Sequence, residues 1–251
     1  MDIIKRNFFC IMRIGAFGSK ETVEPMSKYK WNILEHIAKI HTVEDYVSNV
    51  MGWQHDYNDT KLPDAGLSHM SNYFLNKYLQ QLRDTEPLAE DSSIETLNLL
   101  DIIVQSTEVT LNKGLLMSNI MRIGTFLRTD GDKVDFIKLE KWLRRLMLSK
   151  MAQLEGSILI QFFGFDKDEV PFVSVITPAS NRLALESLDN PVNIDQSEWQ
   201  FRQDSSVFVA NNSKAMMKTF RNCMKYVYFS PIEVLSCFIK RFKMSISNLE
   251  E

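Results

Sequence analysis

Between Val134 and Phe165 the chain reads VDFIKLEKWLRRLMLSKMAQLEGSILIQFFGF, and apolar positions recur there at steps of three or four. Phe136, Leu139, Leu143, Leu146, Met147, Met151, Leu154, Ile158 and Phe162 fall on one stripe of a 3.6-residue helix. Lys138, Glu140, Lys141, Arg144, Arg145, Lys150 and Glu155 lie largely off it. Asp130 or Asp135 suits the start of this helix, Gly164 its left-handed end, and Gly156 a break within it. Trp142 sits beside the stripe and is expected to pack against another helix. A stripe this long can be buried only by other helices, so the rest of the chain is expected to assemble around it.

The same period runs through most of the remainder. Residues 3–17 carry Ile4, Phe8, Ile11 and Met12 and end at Gly15 and Gly18; Ser27 precedes a helix buried through Trp31, Leu34, Ile37, Ala38 and Ile40. Residues 67–82 place Met70, Phe74, Tyr78 and Leu82 in register, and residues 93–110 place Leu97, Leu100, Ile103 and Val104. After Gly114 comes a helix over 115–127, then a short one over 181–188. The last helical stretch, 213–242, breaks at Ser230-Pro231, where Pro231 fits a first turn. Strand signals are confined to VPFVSVIT at 170–177 and to Val207-Phe208-Val209. Pro171 and Pro178 make the former an extended connection. The predicted fold is mainly α: an irregular multi-helix bundle with at most a minor β element around 157–210. One domain over 1–251 is expected. The alternative is a sub-division into 1–83 and 94–251 across the acidic, Pro87-containing stretch 84–93.

Composition narrows this picture. Of 251 residues, 45% are hydrophobic and 24% charged, and nine Gly with seven Pro disfavour a turn-dense β fold. A net charge of −3 speaks against a dedicated nucleic-acid binder. Lys5-Arg6 followed by Phe8 to Met12 imitates a signal peptide until Arg13 interrupts it, and no run of 18 apolar residues follows anywhere. A cytoplasmic protein with no membrane partner is expected. Cys10, Cys223 and Cys237 are scattered through apolar patterns and read as reduced, buried thiols. His36 and His41, five apart on a helix, do not share a face as metal ligands would and suit surface or capping roles. The loop HDYNDTKLPDAG over 55–66 lacks the fixed Gly and Glu of a calcium loop. No catalytic constellation, cofactor or metal site is predicted.

One cluster of charge stands out. Lys214, Lys218, Arg221, Lys225, Lys240, Arg241 and Lys243 face a single acid, Glu233. They form either an anion-binding face or the solvated side of a helical hairpin packed through Met216, Phe220, Met224, Val227, Leu235, Phe238 and Phe242. A second curiosity is an echo: IMRIGAF at 11–17 and IMRIGTF at 120–126, with flanks that do not match.

Several of these segments, in this order, resemble a bacterial family of uncharacterised nucleotidyltransferase-like proteins. The carriers are NFFCIMRIGAFG with the Trp31 helix ending in His41-Thr42-Val43, then GLLMSNIMRIGTFL over 114–127, then Val134-Asp135 with Leu139, Leu143 and Leu146. The resemblance covers roughly residues 7–50 and 94–165. It implies helical flanks around a sheet domain whose paired carboxylates hold magnesium on nucleotide phosphates. Here that space is only the stretch 83–93, and no Gly-Ser loop followed by Asp-x-Asp exists. Arg128 with Asp132 and Asp135 is the nearest mimic; its carboxylates are three apart, and they read, with Asp130, as turn and cap residues. Ser118, Asn119 and Arg122 occupy positions where the family carries arginine, glutamine and aspartate. The expected function is that of a non-catalytic helical protein binding a protein partner or regulating an active relative. The alternatives are a divergent magnesium-dependent nucleotidyltransferase and an anion-binding module.

Overall fold

The computed structural model describes residues 1–52, 68–189 and 221–247, with side chains described as far as 240. Every regular element among these residues is helical, and no strand occurs. The mainly α, multi-helix expectation holds. The stretch 170–177 is a set of turns and bends, and Val207 to Val209 lie outside the described residues.

The helices are α1 (Ile3–Phe17), α2 (Lys28–Ile40), α3 (Glu44–Met51), α4 (Tyr73–Thr85) and α5 (Ile94–Lys113). They continue as α6 (Met117–Asp130), α7 (Phe136–Arg145), α8 (Ser149–Phe163), α9 (Ala179–Asp189) and α10 (Pro231–Ser247). α1 is the hub of the amino-terminal part, packing on α2, α3, α6 and α8. Phe9 stacks on Phe162 with ring centres 4.4 Å apart and meets Phe163 edge-on. α5 lies against α6 and α7, and α8 against α6, α7 and α9. One continuous apolar cluster runs from Phe8 to Val234 through all of them.

The stretch that reads as one long helix is two. α7 ends at Leu146, and Met147 takes the left-handed conformation, φ 58°, before α8 begins. The Leu148 amide donates to Leu143 O at 2.9 Å and the Met147 amide to Arg144 O at 3.2 Å, the paired bonds of a Schellman ending. Leu143 and Leu148, the apolar pair that accompanies this motif, are both buried. Three consecutive apolar residues hid the turn from a periodicity count, and Met147, placed on the stripe, is exposed. Gly156 is no hinge. It lies inside α8, and a Cβ there would overlap Val173 and come within 2.9 Å of Val170 and 3.0 Å of Phe172. It is the bare spot onto which the 170–173 turn packs. Asp135 caps α7 by accepting the Lys138 amide at 2.9 Å, and Gly164 ends α8 at φ 69°, as expected. Trp142 is 5% exposed.

Other elements shift in ways with clear causes. α4 starts at Tyr73, not at Leu67, because Asn72 accepts the amides of Phe74 and Leu75. Its buried residues are Leu79 and Leu82, while Phe74 is 77% exposed, so the register through Met70 and Phe74 is wrong. The stretch 84–93 is fastened to α7: Glu86, buried, accepts the Ser93 amide and the Lys138 ammonium, each at 2.8 Å. The two echoing segments both use their glycine for close helix approach, Gly15 against Tyr46 and Gly124 against Leu159, Phe165 and Phe17.

Candidate functional site

The sequence-predicted residues do not converge on one point. Arg221, Lys225 and Lys240 are exposed; Lys214 and Lys218 lie outside the described residues, as do the side chains of Arg241 and Lys243. Glu233, read as the lone acid on that basic face, is buried. It reaches across to α4 and accepts the Ser71 amide and, at 3.3 Å, the Asn72 amide. It is a structural clamp, joined by the Asn72 amide nitrogen on Ser236 Oγ at 3.1 Å. Asp130 pairs with Lys133 at 2.7 Å and Asp135 caps α7, so both act in the turn. Among the described residues no three His, Cys, Asp or Glu side chains gather as metal ligands.

Two buried polar centres were missed or misplaced. His41 is 1% exposed and ties three separate segments together. Its Nδ1 accepts the Met117 amide at 3.2 Å, which leaves Nε2 to carry the proton and donate to Ser187 O at 3.2 Å. The residue beside it, Thr42, has φ 51°, strained for a β-branched side chain, and its hydroxyl lies 2.7 Å from that of Ser118. The ion pair of Lys5 and Asp189 spans α1 and α9 at 2.5 Å. Burial pulls the His41 imidazolium down to about 4, so it is neutral near pH 7. Capping was foreseen for this histidine, but what it caps is the start of α6.

Glu155, expected on a polar face, is 1% exposed on α8. Its Oε1 accepts the Ser106 hydroxyl of α5 at 2.5 Å, and Oε2 has no partner among the described residues. Desolvation raises its carboxyl to about 8, so it is predominantly a neutral acid at neutral pH. Thr110, one turn along α5 from Ser106, also carries a buried hydroxyl without a partner among the described residues. Elsewhere, on α6, Ser118 joins Thr42, Arg122 donates to Gln105, and the Asn119 amide nitrogen is buried without a partner among the described residues.

The surface offers a more open arrangement. The first half of α4, the α7–α8 junction and the segment leading into α10 are linked by side chains. The Arg145 guanidinium lies 5.1 Å from the Tyr78 ring centre, and the Lys150 ammonium lies 4.0 Å from that of Tyr228. Glu233 and Ser236 hold α10 to the start of α4. Around these contacts Tyr73, Phe74, Met147, Tyr228, Leu235 and Ile239 are exposed. On α10, Ile232, Leu235 and Ile239 recur at three and four, an apolar stripe just beside Ser236. Phe74 and Leu235 had been placed in the core by periodicity alone. A small open cleft of about 300 Å³ lies beside α7, lined by Glu140, Arg144, Gln153, Phe172 and Ser174 among others. No helix among the described residues is long and apolar enough to cross a membrane. Comparison with known protein families, curated proteins and solved structures finds no match for this chain.

Proposed function

We propose that this chain is a non-catalytic helical protein of the cytoplasm that holds a protein partner, a relative of nucleotidyltransferase-like proteins without their catalytic core. The observation that carries the reading is the exposed apolar set on α4 and α10, with Phe74 77% and Leu235 61% exposed. Large apolar side chains left exposed on two elements that are bonded to each other, with Tyr and Arg on the neighbouring segments, are the ordinary composition of a protein-binding surface. A photo-crosslinking phenylalanine placed at Leu235 in the intact chain should give a discrete heavier species in cells, and one at exposed Arg182 on α9 should not. No adduct from Leu235, or the same adduct from both positions, would remove the reading.

The enzymatic alternative is tested separately. Asp130 and Asp135 are engaged in the turn before α7, and the resemblance offers no phosphate loop beside them. Calorimetry with ATP, CTP, GTP and UTP plus magnesium should show no saturable binding beyond the weak, salt-screened kind. Saturable micromolar binding that disappears on Asp132→Ala would make the protein a nucleotide enzyme after all.

A further inference from the structure

Five of this molecule's cations are neutralised by carboxylates across the fold. Arg6 pairs with Glu24, Arg13 with Glu21, Arg83 with Asp101, Arg128 with Glu169 and Lys138 with Glu86. The face built from α4, the α7–α8 junction and the segment before α10 departs from that pattern. Arg145 and Lys150 are exposed, sit on the rings of Tyr78 and Tyr228, and make no ion pair with a described residue. A ring orients a cation through its quadrupole but leaves the positive charge in place. Lys77 on α4 and Lys225 before α10 are likewise exposed and make no ion pair with a described residue, while Lys141 on α7 lies in the field of Asp91. Of the acids at hand, Glu140 lies 3.9 Å from Arg144, and Glu233 is buried and occupied by backbone amides.

The same linked elements therefore carry both positive charge held out to solvent and exposed Phe74, Met147, Tyr228, Leu235 and Ile239. We infer that this face takes an acidic amphipathic helix of a partner protein: its apolar residues cover Phe74, Tyr228 and the α10 stripe, and its carboxylates meet Arg145 and Lys150. The inference rests on the protein-binding reading above and adds where the partner lies and what chemistry it brings. Apolar anchors spaced for a helix, rimmed by charge of one sign, match the helix-on-groove mode of recognition. A lipid surface is the poorer fit, because Arg145 and Lys150 are held on tyrosine rings instead of extending freely toward headgroups. A nucleic acid is poorer still for a chain of net charge −3.

The test uses the full chain and two labelled helical peptides of about 18 residues sharing one leucine stripe, with Glu in one and Lys in the other at the polar positions. Fluorescence anisotropy should show saturable binding of the Glu peptide only. Arg145→Glu combined with Lys150→Glu should weaken it about tenfold or more, and Phe74→Ser should weaken it also, whereas Arg182→Glu should not. Circular dichroism confirms that each variant is folded. Equal binding of the Lys peptide overturns the inference. So does binding of phosphatidylserine vesicles or of oligothymidylate in place of the Glu peptide. If the Leu235 adduct forms in cells and the Glu peptide does not bind, the acidic-helix inference falls while the partner-binding reading stands. If the adduct itself is missing, that reading falls first.

Discussion

His41 and Glu155 make opposite demands on pH. The unfolded chain protonates His41 near 6.5 and the folded chain only near 4, so folding stability falls as pH drops through that window and levels off below it. The full effect is roughly 3 kcal/mol by linkage. Glu155 works the other way: the unfolded chain ionises it near 4.5 and the folded chain near 8, so its contribution is lost as pH rises between those values. Between pH 4.5 and 6.5 the two slopes oppose each other. The wild-type denaturation free energy should therefore change little there on their account. His41→Gln should leave stability that falls with rising pH, and Glu155→Gln stability that rises, both measured by urea titration at pH 4.5, 5.5 and 6.5. Two variants with parallel pH profiles would show that neither group is buried as described. Glu155→Gln should also be more stable than wild type at pH 7.5, because it removes a carboxyl that the unfolded chain prefers to ionise.

At the scale of the element, the α7–α8 junction is the sharpest case. Met147 holds a left-handed backbone that favours glycine and buries little, so Met147→Gly should raise stability by about 1 kcal/mol. Gly156→Ala should lower it by about 1–3 kcal/mol, since the added methyl meets Val170, Phe172 and Val173. Thermal denaturation of the pair separates this geometry from a single helix hinged at Gly156, for which the order would reverse. Trp142→Ala should cost about 3–5 kcal/mol in the same assay, and an unchanged midpoint would mean that its ring faces solvent. Much at this scale was readable from spacing: α1, α2, α5, α6 and α9 fall close to where the apolar period put them. α3 was not read, because its eight residues follow a Thr-Val pair that breaks the period. Phe74 was misread because its phase was set from Met70, which precedes the helix. Glu155 left a trace, a lone acid between Leu154 and Gly156 in an otherwise apolar run. The His41 junction left none, since its partners stand 76 and 146 residues away and local pattern carries no long-range pairing.

For the whole molecule, charge and apolar exposure are unevenly shared. Carboxylates answer Arg6 and Arg13 of α1, Arg83 of α4 and Arg128 of α6, whereas Arg145 and Lys150 are answered by rings. Net charge alone, at −3, concealed this, because an average over the chain says nothing about which side of it is positive. The sequence did flag the carboxy-terminal cations. It could not flag Tyr78 and Tyr228 as their neighbours' supports, because those contacts join α4 to α7 and α8 to the segment before α10.

The stacking of Phe9 on Phe162, and the bond from His41 to Ser187, also set an order of events during synthesis. α1 to α3 leave the ribosome ahead of α8 and α9, yet the surfaces that cover Phe9 and His41 are made some 150 residues later. At about 5–20 residues per second the wait is roughly 7–30 s. Throughout it an aromatic-rich amino-terminal helix hairpin has no permanent cover. The nascent chain is thus a client for whatever shields apolar segments at the exit tunnel, and slow translation between α3 and α8 would lengthen its vulnerable period.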